Sequence, residues 1–456
     1  MGFQQGLSGL GAAAKNLDVI GNNVANVNTV GFKGSRAEFA DIYASTFGTA
    51  SNIAGIGAKV TTIAQQFSQG NTTSTNNPLD IAITGNGFFR MQDQSGSISY
   101  ARNGQFQLNK DGYIVNNGQF LTGWGVDQGT GVFLEGAVPQ PIQLQFANIG
   151  ARETGGSGVT GAGLTLGLNL NAADKVINDP TNPVAPGAAF SSSDPTTYNY
   201  STSATVFDSL GVAHTQTMYF RKQDPGSVPA GAVGSWNIYY AVDGKDVNVD
   251  GSLAPNPGTK LAGVISFDAN GKYTNYSSNI TATPGSTAAA TDDWLHVTAG
   301  PTGIDNGSNG LSFQLFFNKS TQFGSPYNVN TLTQDGYTDG VLTGISVSKE
   351  GVVQGRYSNG QSRNVAKVVL STFTNPQGLQ PLGDNRWAES FGSGQPLTNG
   401  PGQGNTGFLQ AAAVEDSNVD LTSELVNLIT AQRNYQANAQ TVKAQDTILQ
   451  TIVNLR

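Results

Sequence analysis

Two histidines, His214 in "GVAHTQ" and His296 in "WLHVTAG", are the chain's only imidazoles. Neither has a cysteine or clustered carboxylates near it in sequence. Metal binding and proton transfer are therefore not expected of them, and both read as strand-surface positions. Two stretches match G-x-G-x-x-G: "GSGVTG" (Gly156–Gly161) and "GQGNTG" (Gly402–Gly407). Dinucleotide binding needs that pattern at a strand-to-helix turn. Neither match opens a helix, so both read as flexible loops. "DVNVDG" (Asp246–Gly251) spaces Asp246, Asn248 and Asp250 like the first half of a calcium loop. The twelfth position is Pro257 instead of glutamate and no helix flanks it, so a hairpin turn is expected. The sequence has no nucleophile elbow, P-loop or paired acid and base. It does not read as an enzyme, and no catalytic residue, metal or cofactor is expected.

Composition narrows the partners. The 456 residues allow two to four domains. Charged residues are 12% of the chain, about half the usual share. A net charge of −8 argues against nucleic acid, which needs a concentrated basic face. No run of about 18 apolar residues is present, so no membrane span is expected. The N-terminus lacks the basic stretch and continuous apolar run of a secretory signal. With no cysteine in the chain, disulfides and thiolate chemistry are excluded together.

Two elements stand out against 59 glycines and 18 prolines. From Phe408 to Arg456 there is neither residue. Within that stretch Leu421, Leu425, Leu428, Gln432, Tyr435, Ala439, Val442, Asp446, Leu449 and Val453 recur at alternating spacings of four and three. That period predicts a coiled-coil helix, capped by Asp420 with Glu424 in its first turn. At the other end Phe3, Leu7, Leu10, Ala14, Leu17, Gly21 and Val24 repeat the spacing. Gly6, Gly9, Gly11 and Gly21 interrupt it, each costing about 0.5–1 kcal/mol against alanine. Such a helix needs a partner surface, and its small residues let that partner come close. It is expected to be disordered in the free monomer and to order on assembly.

Between the ends, short alternating runs are punctuated by Asn86-Gly87, Asn103-Gly104, Asp111-Gly112, Asn117-Gly118, Asp335-Gly336 and Asn359-Gly360, which are hairpin signals. The expected fold is mainly β with an α-helical coiled-coil pole. Residues 1–28 and 419–456 form the paired terminal helices, and 29–70 is a linker or extended segment. Residues 71–143 and 323–418 form an inner β domain, into which 144–322 is inserted as an outer β domain.

Several phrases carry a resemblance. "LSGLGAAAKNLDVIGNNVANVNTVGFKGSRAEF" and "SNVDLTSELVNLITAQRNYQANAQTVKAQDTILQTIVNLR" resemble the terminal segments shared by bacterial flagellar axial proteins, the rod and hook family. "LDIAITGNGFFRM", "YARNGQFQLNKDGYIVNNGQFLTGW" and "GDNRWAES" are most similar to the hook members. The resemblance implies a structural subunit that polymerises into a curved, bendable tube, a universal joint between motor and filament with a central export channel. It implies the following partners: further copies of the chain, a distal rod protein at the base, a hook-cap protein during assembly, a hook–filament junction protein at the tip, and the flagellar type III export apparatus. It also implies an extracellular location reached without a cleaved signal. Two other readings are another axial component, either distal rod or hook-associated, and a secreted β-rich binding protein or adhesin.

On this reading Leu7, Leu10, Leu17, Val24, Leu421, Leu425, Leu428, Tyr435, Val442, Leu449 and Val453 are the coiled-coil and assembly positions. A charge repeated in every copy of a helical polymer becomes a column of like charges, which neutral amides avoid. Asn22, Asn23, Asn26, Asn28, Gln432, Asn434 and Gln436 are therefore expected to contact neighbouring copies. Thr29–Gly70 and Gln403–Asn418 are expected to be the segments that adjust on bending. "FQQGL" (Phe3–Leu7) and "FADIY" (Phe39–Tyr43) are candidate export signals.

Overall fold

The computed structural model describes residues 2–42, 57–127, 131–144, 149–156, 162–177, 190–223, 232–248, 253–254, 263–278, 294–297, 304 and 306–454. The chain is mainly β with one long helix at each end. It divides into two compact units. The first comprises Met1–Phe146, Thr343–Arg356 and Gly360–Arg456, and the second Ala147–Leu342 and Tyr357–Asn359.

In the first unit, helix α1 (Gly2–Ala25) packs on helix α2 (Leu421–Asn454). Asp420 caps α2, its Oδ1 accepting from the Ser423 backbone N–H at 3.0 Å. α1 ends where the Asn26 N–H turns back to the carbonyls of Asn22 and Asn23. Gly31 then takes φ +69°, and a Cβ there would lie 2.6 Å from the Asn103 nitrogen, so only glycine fits.

The expected linker 29–70 proves to contain an antiparallel pair, β1 (Ser35–Ile42) and β2 (Gly57–Gln65), packed against α1. The register passes from Glu38↔Thr62 to Phe39↔Val60, so Thr61 is an extra residue in β2, and this bulge breaks the side-chain alternation that would have marked β2 as a strand. The candidate linker Gln403–Asn418 likewise contains strands Phe408–Ala411 and Ala413–Glu415. These pair with Ile81–Thr84 and Thr72–Ser74. The "GQGNTG" loop is not slack either. Thr406 Oγ1 donates to the Gly400 carbonyl at 2.7 Å, and Gly402 N–H donates to the Gly407 carbonyl.

The main sheet of this unit interleaves the two halves of the chain. Strand Gln119–Gly125 pairs with Phe88–Gln92 on one side and with Ser362–Val368 on the other. Phe89, Met91, Leu121, Val353, Val368 and Leu370 are buried together beneath it. Asn117 (φ 47°) and Gly118 (φ 78°) form the tight turn expected of an Asn-Gly hairpin. Asn103-Gly104 is glycine-bearing for a different reason. A Cβ on Gly104 would lie 1.7 Å from the Ile81 carbonyl oxygen.

The second unit holds two sheets sharing one core. In the first sheet Tyr200–Phe207, Ala213–Lys222 and Gly234–Val242 are successive antiparallel neighbours. In the second, Gly163–Asn171 runs parallel to Leu311–Phe316 and Thr321–Phe323, and antiparallel to Asn328–Gln334. Leu164, Leu166, Leu168 and Leu170 share one strand face by the period of two. They pack with Trp236, Phe220 and Phe313. Because Asn328–Gln334 completes this sheet, the unit extends to Leu342, past the expected limit at residue 322.

His214 is in a strand, as expected, but not at its surface. It is 7% exposed, with Nδ1 2.7 Å from Asp243 Oδ2 and Nε2 3.3 Å from Asp208 Oδ2. Burial disfavours ionisation of Asp208. Hydrogen bonds from Asn306, the Val212 N–H, His214 and the Leu210 N–H outweigh that effect and hold its carboxyl below the usual range. The His296 side chain and residues 249–251 of "DVNVDG" lie outside the described residues. Among the described residues no metal-binding cluster of His, Cys, Asp or Glu is found.

Candidate assembly site at the chain termini

The contact between the helices is built on small residues. A Cβ on Gly6 would lie 2.9 Å from Val442 Cγ2, and one on Gly9 would lie 2.8 Å from Asn438 Oδ1. Gly11 and Gly21 meet nothing within 4 Å. Two of the four glycines therefore permit the close approach, and two face open space. On α1 the buried positions are Gly6, Ala12, Ala13, Val19, Ile20 and Asn23. The expected seam lies beside that face. Leu7 is 55% exposed, and Leu10, Leu17 and Val24 are half-buried.

On α2 the seam is also displaced. Ala431 is buried, while Leu428, Asn438 and Val442 are half-buried. Leu421, Leu425, Tyr435 and Leu449 are exposed, and the Val453 side chain lies outside the described residues. The heptad pattern thus located the helices but marked, for the most part, a face other than the one they share.

The asparagine-rich end of α1 divides between two roles. Asn23 is 2% exposed and makes its contacts within the chain. Its Nδ2 donates to the Ser35 carbonyl (2.7 Å) and to Glu424 Oε1 (3.1 Å), and its Oδ1 accepts from the Ser35 N–H (2.9 Å). One amide thus ties α1, the start of β1 and the first turn of α2 together. That corrects its assignment as a contact between copies. Asn26 Nδ2 donates to the Asn22 carbonyl (2.9 Å) and to Asn22 Oδ1 (3.1 Å), one turn back. Asn22, Asn28, Gln432, Asn434 and Gln436 stay exposed. Asn418 was not singled out from sequence, yet it is the matching clamp. Its Oδ1 accepts from the Gly34 N–H (2.8 Å) and its Nδ2 donates to the Gln66 carbonyl (2.6 Å), joining both strands of the hairpin to the chain ahead of α2.

Behind these amides lies a buried ionic knot. Lys33 Nζ is 2.6 Å from Glu415 Oε1, and Arg102 Nη1 is 3.1 Å from Glu415 Oε2. The three side chains are 0–4% exposed. Lys33 also donates to the Ser68 carbonyl (2.7 Å), and the Gly70 N–H donates to Glu415 Oε1 (3.0 Å). Burial pushes the Lys33 ammonium below the ordinary lysine range. Glu415 pulls it back up, and Arg102 adds to the fall. The knot carries two cations and one anion, so Glu415 compensates both. A lone Lys in "GFK" gave no sign of this, because its partners lie far along the chain.

Family models match in an order that fits this architecture. The flagella basal body rod protein model matches residues 3–33, and the flagellar hook protein FlgE/F/G D1 domain matches 82–147. The flagellar basal body protein FlaE D2 domain matches 169–337, and the flagellar basal body rod FlgEFG protein C-terminal model matches 410–455. Terminal helices paired around a split β unit with an insertion therefore define a protein of the flagellar rod and hook class. The chain is 40% identical over 460 residues to the flagellar hook protein FlgE of Escherichia coli (strain K12), covering 100% of both. It is 39% identical over 458 residues to that of Salmonella typhimurium, again covering 100% of both. It is 29% identical over 482 residues to that of Treponema pallidum, covering 99% of this chain and 98% of that one. The chain belongs to the flagellar hook protein FlgE family.

Proposed function

We propose that the chain is the structural subunit of a bacterial flagellar hook. Copies polymerise into a curved, bendable tube that transmits motor torque to the filament around a central export channel. The observation that carries this is the apolar surface of the terminal helices. Leu7, Leu421, Leu425, Val426, Ile429, Ile448 and Leu449 are between 43% and 59% exposed. Helices with such a face bury it against another element, and a second copy supplies one. The exposed amides Asn22, Asn28, Gln432, Asn434 and Gln436 flank that surface without adding charge.

The terminal helices form the core of the tube. The further partners are a distal rod protein, a cap protein during assembly, a junction protein at the tip and the flagellar export apparatus. The subunit functions outside the cell. Negative-stain microscopy of the purified chain at rising concentration tests the assignment. Tubes or curved segments are expected, and compact monomers at high concentration would refute it.

A further inference from the structure

A cavity of about 390 Å³ opens in the first unit. Its lining includes Ile98, Trp124, Val138, Pro139 and Pro396, which give it apolar walls. The same lining contains Arg90, a residue only 9% exposed. Arg90 Nη1 donates to Thr122 Oγ1 (3.2 Å) and to the Pro139 carbonyl (3.3 Å), both neutral. Among the described residues no carboxylate forms an ion pair with it. Glu389, also in the lining, accepts from the Tyr100 hydroxyl at 3.1 Å and acts on Arg90 through space without a direct contact. A guanidinium is a flat fork of five donors that fits a carboxylate through two parallel bonds. Here part of that fork is unused, in a setting where apolar walls would strengthen any ionic contact.

We infer that this cavity receives an acidic side chain of a second copy of the chain, with an apolar neighbour of that acid lying against Ile98 and Val138. Charge favours that occupant. The chain has 31 acidic residues against 23 basic ones, so neighbouring copies present carboxylates in excess. The apolar rim is uncovered as well, with Val138 72% and Ile98 38% exposed. The inference rests on the assembly reading above and assigns one of its contacts. The contact fixes register between copies, because a partly desolvated charge accepts only a placed partner.

The absence of cysteine makes a clean probe possible. Val138→Cys carrying a benzophenone maleimide, mixed sparsely into unlabelled chain, is illuminated before and after polymerisation. The expected product is a chain-to-chain adduct, found only in the polymer, on a peptide containing Asp or Glu. In parallel, Val138→Asp places a carboxylate beside Arg90 within the chain. It should raise the critical concentration for assembly about tenfold or more with the unfolding midpoint of the monomer unchanged, whereas Val138→Asn should assemble like the parent. The inference is overturned if the adduct is absent or forms with another protein, or if Val138→Asp assembles at the parent's concentration. If the parent chain itself forms no polymer, the proposed function falls together with this contact. If the parent polymerises and the probes fail, the contact alone falls.

Discussion

Replacing Glu415 with Gln tests the ionic knot most directly. The substitution keeps the shape and removes the single anion that holds Lys33 and Arg102. At an effective dielectric of about 20, the 2.6 Å and 3.1 Å contacts are worth roughly 6 and 5 kcal/mol of gross attraction. Desolvation of three buried ions offsets most of this, and breaking such a pair typically costs about 3–5 kcal/mol. Glu415→Gln is expected at the upper end, because two cations lose their partner at once. Lys33→Met should cost clearly less, because it leaves Arg102 and Glu415 as a balanced pair.

Native-state amide exchange reads this locally. Protection at Gly31, Gly70 and Phe408–Glu415 should fall by about three to three-and-a-half decades in Glu415→Gln. Strand Gly163–Asn171 in the second unit serves as the internal control and should not change. Unaltered protection near Gly70, or a Lys33→Met variant as damaged as Glu415→Gln, would refute the claim that one carboxylate compensates two cations.

Three further outcomes follow from the geometry. Gly11→Ala should strengthen the helical pair in the polymer by about 0.5–1 kcal/mol, whereas Gly6→Ala should weaken it by crowding the β-branched Val442; urea dissociation of the two variants' polymers gives opposite signs. Alkaline pH should weaken the first unit. Burial, helped by Glu389, raises the Tyr100 phenol above its ordinary 10.0, so the unfolded chain ionises first and stability falls as pH rises beyond that value. Lys33, lowered from 10.5, has the opposite sign and adds stability only up to that pH, so above it Tyr100→Phe should flatten the decline by up to about 1.4 kcal/mol per pH unit. Finally, amide exchange over Phe3–Val27 should be fast in the monomer and slow in the polymer; strong protection before assembly would refute coupled ordering.

What the sequence revealed followed the range over which its signals act. Both helices were legible because a period of three and four persists for many turns, and glycine-poor composition set α2 apart. Turns such as Asn117-Gly118 were legible because two residues fix them. The β1–β2 hairpin was not, since the extra Thr61 in β2 sets Val60 and Ile63 three apart and erases the alternation there. The face by which α1 meets α2 was not legible either. Apolar side chains mark every buried surface alike, and here the contact uses glycine and alanine while Leu7, Leu421, Leu425 and Leu449 remain exposed. Asn23, Asn418, Lys33 and Glu415 are ordinary polar residues until the fold brings distant segments together.

The knot also bears on the order of events during synthesis. Lys33 and Glu415 are separated by 382 positions, so the cation exists long before the anion that satisfies it. A chain interrupted between Arg102 and Glu415 holds two positive groups that cannot be closed away from water without large penalty. The site where both ends meet therefore doubles as a completeness check: only a copy finished almost to its last helix can shut, and fragments remain open and exposed to degradation.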